Sequence, residues 1–295
     1  VNGYGQMAVI VPLILAAPKY FRNEIQLGGL MQTVSAFGRV QDALSFFVDS
    51  YATIASLAAV ISRLSGFTEH MEQVQKVSSR VEKSTAPEFT VSELNITLPT
   101  GRELLKKLSL SLEKSKALLV TGASGCGKST LLRTLAGIWA YASGKILLPE
   151  NARVMFLPQK PYLPLGTLRR ALVYPNAEKD APPDSQLQEI LRTVDLPHLA
   201  EKLDVADDWT RILSGGEQQR LAFARVLLVA PDYIFLDEAT SALDEPREIE
   251  MYKLLKEKLP SATIVSVGHR STLFEVHDTE LKLDGTGSWQ IREVG

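Results

Sequence analysis

Between Lys116 and Ile138 the chain reads KALLVTGASGCGKSTLLRTLAGI, and no other stretch limits the possible folds as much. The apolar run ALLV suits a buried strand. Glycines then break it, and a helical segment follows. A strand, a glycine-rich loop and a helix in that order belong to an α/β domain. The loop GASGCGKS, from Gly122 to Ser129, fits the pattern G-x-x-x-x-G-K-[ST]. Its glycines let backbone N–H groups curl around phosphate oxygens, and the start of the helix adds a positive dipole end. Lys128 reaches the terminal phosphates and Ser129 offers a hydroxyl to Mg²⁺. Ser124, Gly125, Cys126, Gly127 and Thr130 complete the expected cradle.

Two further stretches extend this site. DYIFLDEAT, residues 232–240, is a strand run that ends in two carboxylates. Asp237 at the strand end suits contact with Mg²⁺ through water. Glu238, one residue on, points differently and is placed to polarise an attacking water. LSGGEQQR, residues 213–220, is a second glycine-rich helix start, although the first loop already surrounds one set of phosphates. Ser214, Gly215, Gly216 and Glu217 therefore read as a site for the γ-phosphate held by another copy of the domain. Two copies placed head to tail would bury two ATP molecules between them.

The N-terminal part has a different texture. No charged residue precedes Lys19, and MAVIVPLILAA, residues 7–17, has no polar side chain. A start at Val1, without a charged region before the apolar run, reads as a cut end of a larger membrane protein and not as a signal peptide. Gly3 to Phe21 is expected to be a transmembrane helix, with Leu27 to Phe67 a second and longer one. Along the latter, Gln32, Ser35, Arg39, Asp42, Ser45, Asp49, Thr53 and Ser56 recur in steps of three and four, which places them on one stripe. A charge facing lipid costs at least ~2.5 kcal/mol near mid-bilayer, so the stripe faces either water or a polar partner helix. The first case makes a helix that lines a hydrated path; the second pairs Arg39 with Asp42 against other helices. Residues 68–87 read as a helical tail and linker, and 88–295 as the α/β domain. A net charge of −2 over 295 residues gives no basic field for nucleic acid. The single cysteine, Cys126, permits no internal disulfide.

In combination these motifs resemble the ATP-binding cassette family, with LSGGEQQR similar to its signature. The resemblance covers 88–295 and implies a P-loop NTPase fold with antiparallel β and α-helical subdomains. It also implies three more roles. Gln159, in VMFLPQKPYL, resembles the glutamine that senses Mg²⁺ and couples to the membrane domain. Asp244, in SALD, resembles the aspartate at the dimer seam. His269, in VSVGHR, resembles the switch histidine that contacts the γ-phosphate. One departure is the stretch LNITLPTGREL, which offers Leu98 and Pro99 where many cassettes stack an aromatic ring on adenine. Adenine is then expected to be held by apolar contact alone, with GTP accepted too.

Cassettes of DNA repair, chromosome maintenance and translation lack fused membrane helices, so residues 3–67 point to a half-transporter that dimerises, expected as a homodimer. APKYFRNEIQLGGLMQTVSAFGRVQDALSFFVDSYATIASLAAVISRL resembles the SbmA/BacA-like membrane domain. GIWAYASGKI and DDWTRILSGGEQQRLAFARVLL are similar to the peroxisomal fatty-acyl group, and YddA-type bacterial proteins join both parts. That resemblance implies six helices per subunit, about two of them here, in a bacterial inner membrane with the cassette in the cytoplasm. Its members carry either fatty acyl-CoA or hydrophilic cargo such as peptides and cobalamin; the polar stripe favours the hydrophilic branch. A gating ATPase that moves no cargo, and a soluble cassette ATPase, are the competing expectations.

Overall fold

The computed structural model describes residues 2–76 and 80–294. Its contacts divide the chain into two units, Val1–Lys76 and Val77–Gly295.

The first unit is a pair of helices, α1 (Asn2–Phe21) and α2 (Leu27–Lys76). The turn between them uses Asn23 at φ 60, a left-handed conformation that asparagine tolerates well. With 50 residues, α2 is about 75 Å long. Its apolar side chains, among them Phe37, Leu44, Phe46, Tyr51 and Ile54, are exposed. The hydroxyls of Thr33 and Thr68 donate back to Gly29 O and Leu64 O in the preceding turn, which satisfies them without solvent. Among the described residues, Leu27–Glu69 alone is long and apolar enough to cross a membrane; Ile10–Phe21 is apolar but shorter. The expected first crossing, Gly3–Phe21, is helical, but the side chains of 1–9 lie outside the described residues, as does that of Asp49 in the stripe.

The second unit begins earlier than the sequence suggested. Residues 68–76 continue α2, and the expected linker contains a strand, β1 (Arg80–Thr85). The strands β2 (Phe89–Thr97), β3 (Glu103–Leu112) and β4 (Ala117–Gly122) follow, then α3 (Lys128–Leu135) and β5 (Ala142–Leu148). Next come β6 (Val154–Leu157), the short β7 (Gly166–Thr167), α4 (Leu168–Val173), α5 (Asp184–Thr193), the short β8 (Ala206–Asp207) and α6 (Trp209–Ile212). The chain finishes with α7 (Gly215–Val229), β9 (Tyr233–Asp237), α8 (Glu245–Lys258), β10 (Thr263–Val267), β11 (Thr279–Leu283) and β12 (Trp289–Glu293).

One sheet has the order β1-β5-β2-β3, a larger one β12-β11-β4-β10-β9-β6, and β7 and β8 form a separate antiparallel pair. β1 runs parallel to β5 with Arg80 opposite Ser143, while β2 pairs antiparallel with both β3 and β5. In the larger sheet β4, β6, β9, β10 and β11 are parallel, and only the edge pair β11–β12 is antiparallel. Strands β4, β9 and β10 are covered on both faces, which explains their unbroken apolar runs. Alternate residues supply two cores. Leu118, Val120, Phe235 and Val265 pack with Leu131 and Leu132 of α3 and with Phe89 and Val91 of the smaller sheet. Ala117, Leu119, Ile234, Leu236 and Ile264 face the other way, toward Leu172, Leu187, Leu221 and Phe223 of the helical part. The helix α3 is thus held between two sheets, with its N-terminus at the carboxyl end of β4. In parallel sheets that end of the strands is where ligands bind.

Candidate nucleotide site

β4 ends at Gly122, and the loop to Lys128 needs its glycines for distinct reasons. Gly122 sits at φ 141; a Cβ there would lie 2.4 Å from the Leu283 carbonyl oxygen and 2.9 Å from Cys126 Sγ. Gly125 at φ 76 has open space around it, and Gly127 at φ 107 caps the start of α3. Lys128 is 6% exposed, and its Nζ donates to the carbonyls of Gly122 and Ala123, each at 2.9 Å. The ammonium is therefore held directly above the loop. Thr130 lies in the first turn of α3, where its carbonyl accepts from the Thr134 hydroxyl.

The Ser129 hydroxyl donates to Asp237 Oδ1 at 2.6 Å, joining the first turn of α3 to the end of β9. Arg133 lies one turn along α3 and approaches Asp237 Oδ2 at 3.8 Å. Burial raises the Asp237 carboxyl above its ordinary range, and the neighbouring Glu238 adds to this; the Ser129 bond, Arg133 and Lys128 oppose it. A serine hydroxyl and a carboxylate side by side are hard oxygen donors and suit Mg²⁺.

Glu238 follows at φ 51, left-handed for a residue with a Cβ. Its N–H donates to Val267 O, so the chain turns while still tied to β10. Both carboxylate oxygens are engaged. Gln159 Nε2 donates to Oε2 at 2.9 Å, and His269 Nε2 lies 3.1 Å from Oε1. Residues far apart in sequence thus converge on one carboxylate at the strand ends.

The signature stretch makes different contacts. Ser214 caps α7 in a capping box with Glu217: the Ser214 N–H and hydroxyl donate to Glu217 Oε2 at 2.8 and 2.7 Å, and Glu217 N–H donates to Ser214 Oγ. His198 Nε2 lies 3.0 Å from Glu217 Oε1. Burial raises the Glu217 carboxyl, but the Ser214 bonds together with His198 and Arg220 outweigh it and hold the group below its ordinary value. Gly215 and Gly216 face Ala242 and Leu243, with 3.3 Å available to a Cβ. Asp244 caps α8 by accepting from Arg247 N–H at 3.1 Å. Within one chain, then, Ser214 and Asp244 cap their own helices, Glu217 also meets His198, and Gly215 and Gly216 pack against the segment before α8. Leu98, half-buried against the core, turns through Pro99 to Gly101, whose N–H donates to Leu98 O.

Four residues of the site were not singled out from the sequence. Arg133 follows Ser129 by four positions, so helical spacing was the available signal. Gln219, which donates to the Gln159 carbonyl, and Arg270, which donates to Leu243 O and to the Glu248 carboxylate, gave none, and nor did Glu248, because their partners are set by long-range packing.

A strand, phosphate loop and helix with paired acids at the end of β9, two strands away in the same sheet, define a P-loop nucleotide-binding cassette. The comparisons make this specific. Residues 105–241 match the family described as ABC transporter, and residues 1–72 match the SbmA/BacA-like family. An uncharacterized ABC transporter ATP-binding protein of Haemophilus influenzae is 46% identical over 97% of this chain and 48% of its own length. The inner membrane ABC transporter ATP-binding protein YddA of Escherichia coli is 35% identical, over 94% of this chain and 48% of its own. ABC transporter D family member 2 of Arabidopsis thaliana, a chloroplastic protein, is 32% identical over 99% and 52%. The chain belongs to the ABC transporter family, and it spans about half the length of the curated relatives it matches.

Proposed function

We propose that the chain carries the final membrane helices and the cassette of an ATP-driven half-transporter. Two such subunits would pair head to tail, most simply as a homodimer, with two ATP molecules buried between their cassettes. The reading rests on one observation: Glu238 is gripped on both oxygens, by Gln159 and His269, beside the loop that carries Lys128. That grip fixes the carboxylate in one orientation, as a general base needs. Glu238 would take the proton from the attacking water. Lys128 would leave its loop carbonyls for the β- and γ-phosphates, and Ser214 with Gly215 and Gly216 of the partner subunit would close the other side. Asp244 would then lie at the seam.

Ser129, Asp237 and the amide oxygen of Gln159 would hold Mg²⁺. Bound there, the ion supplies positive charge against the phosphates. Adenine would meet Leu98 and Pro99 through apolar contact alone, so GTP is expected to compete with ATP. The cassette is assigned to the cytoplasm, and the helices to the inner membrane of a bacterium. The cargo is assigned as hydrophilic from the stripe on α2, where Gln32, Arg39 and Asp42 are exposed.

The test uses the full-length protein in lipid vesicles, with Glu238→Gln as the blank. ATP turnover and ATP-dependent uptake are measured with peptide, cobalamin and fatty acyl-CoA. Turnover with uptake of a hydrophilic solute supports the assignment. Stimulation by acyl-CoA alone replaces the cargo class, turnover without flux makes the cassette a gate, and no turnover removes the ATPase reading.

A further inference from the structure

Gln219 lies on α7 and is 2% exposed, yet its side-chain amide is fully used. Its Nε2 donates to the backbone carbonyl of Gln159 at 3.1 Å and to Ser241 Oγ at 3.2 Å, and its Oε1 accepts from the N–H of Ala242 at 2.9 Å. The orientation of that amide is fixed by chemistry. A backbone N–H can only donate and a backbone carbonyl can only accept, so the flipped amide would face both partners with the wrong atom.

Arg270 makes the matching connection on the far side of the site. Its Nη1 donates to Leu243 O at 2.8 Å and to Glu248 Oε2 at 3.3 Å. Glu248 is 3% exposed and also accepts from the Thr240 hydroxyl. A buried carboxylate held by an arginine and a hydroxyl is a costly arrangement to break from one side.

Taken in order, these bonds close a circuit. Gln219 holds the backbone of Gln159, and the side chain of Gln159 holds Glu238. Glu238 holds His269, and Arg270, the next residue, holds Leu243. Leu243 adjoins Ala242, whose N–H returns to Gln219. The circuit passes through the signature helix, the segment after β6, the acid pair, the segment after β10 and the segment before α8.

We propose that Gln219 and Arg270 are positioning residues that close this circuit around Glu238, so that cutting it at either point lowers turnover without lowering nucleotide affinity. The proposal rests on the reading of Glu238 as the base. A carboxylate held on both oxygens loses its aim when either neighbour drifts, and misplacement by about 1 Å can cost on the order of a hundredfold in rate.

The test compares Gln219→Glu, Gln219→Leu, Arg270→Lys, Arg270→Met and the double variant Gln219→Leu/Arg270→Met in the full-length protein in vesicles. Turnover, affinity for a fluorescent ATP analogue and melting temperature are recorded for each. The expected result is a fall in kcat of about tenfold or more for Gln219→Leu, Gln219→Glu and Arg270→Met, with affinity held within about twofold. Arg270→Lys, which keeps a donor for Leu243 O, should recover part of the loss. The double variant should be little worse than either single one, since a circuit already cut loses little from a second cut. Wild-type kcat in the single variants overturns the proposal, as does a double variant whose losses simply multiply. Joint loss of affinity and melting temperature, even in Gln219→Glu and Arg270→Lys, overturns it in favour of a packing role. A wild-type protein without turnover overturns the general-base reading as well, which separates the two failures.

Discussion

At the scale of single residues, Glu238 and His277 make opposite uses of burial. Glu238 is partly open and fixed by partners on both oxygens. Replacement by Gln keeps the size and the shape of the turn but removes the base. Glu238→Gln is expected to retain ATP binding and lose turnover by at least about a hundredfold; retained hydrolysis in that variant would remove Glu238 from the role. His277 is 5% exposed and lies far from the phosphate loop in sequence. Its Nδ1–H donates to Leu273 O at 2.7 Å, its Nε2 has no partner, and its ring meets Tyr252 edge-on. Burial drives its pKa from 6.5 down to about 4; Lys256 pushes the same way, against the Leu273 carbonyl and Asp278. The neutral form is therefore the folded form. Stability is complete above pH 6.5, and it falls as pH drops toward 4 because the unfolded chain gains a proton first. The loss is on the order of 3 kcal/mol across that window. Thermal melts between pH 4 and 7 should show a slope that His277→Gln flattens; an unchanged slope would assign the acid sensitivity to other groups.

At the scale of elements, α7 shows how one helix start serves two readings. Within the chain, Ser214 is a cap: it satisfies the Glu217 N–H and receives the carboxylate of Glu217 in return. The proposed partner phosphate would compete for the same hydroxyl. Ser214→Arg should leave ATP binding to the monomer intact and block closure of the dimer, at a cost of ~1 kcal/mol from the lost cap. Crosslinking in the presence of ATP checks this, and a monomer that no longer binds ATP would refute the role in trans. The elements also differ in how readable they were. β4, α3 and β9 were plain because a phosphate loop needs fixed spacing and their strands are apolar on both faces. β1 was not. RVEKST has no apolar run, and as an edge strand it is held by backbone pairing to β5, which leaves little mark on side-chain choice. The tail after Phe67 was easier: its polar residues keep the helix going to Lys76, because polarity alone does not end a helix.

At the scale of the whole molecule, the site is assembled from segments that only the fold brings together. The phosphate loop and the acid pair were legible from chemistry, whereas Gln159, Asp244 and His269 needed the family resemblance, because a lone Gln, Asp or His has no spacing to identify it. Gln219 and Arg270 were out of reach of both, since the bonds that define them span 60 and 27 residues. The backbone of Glu238 has a further consequence. A residue with a Cβ at φ 51 costs the native state about 1 kcal/mol that glycine would not. Glu238→Gly is expected to fold with an equal or higher melting temperature while losing turnover; a clear drop in melting temperature would mean that the bonds to Gln159 and His269 outweigh the strain. If melting temperature does rise, heat resistance and activity pull against each other at this position. A population selected only for surviving heat would then drift toward an inert cassette, and the acidic residue would persist only where its chemistry is under selection.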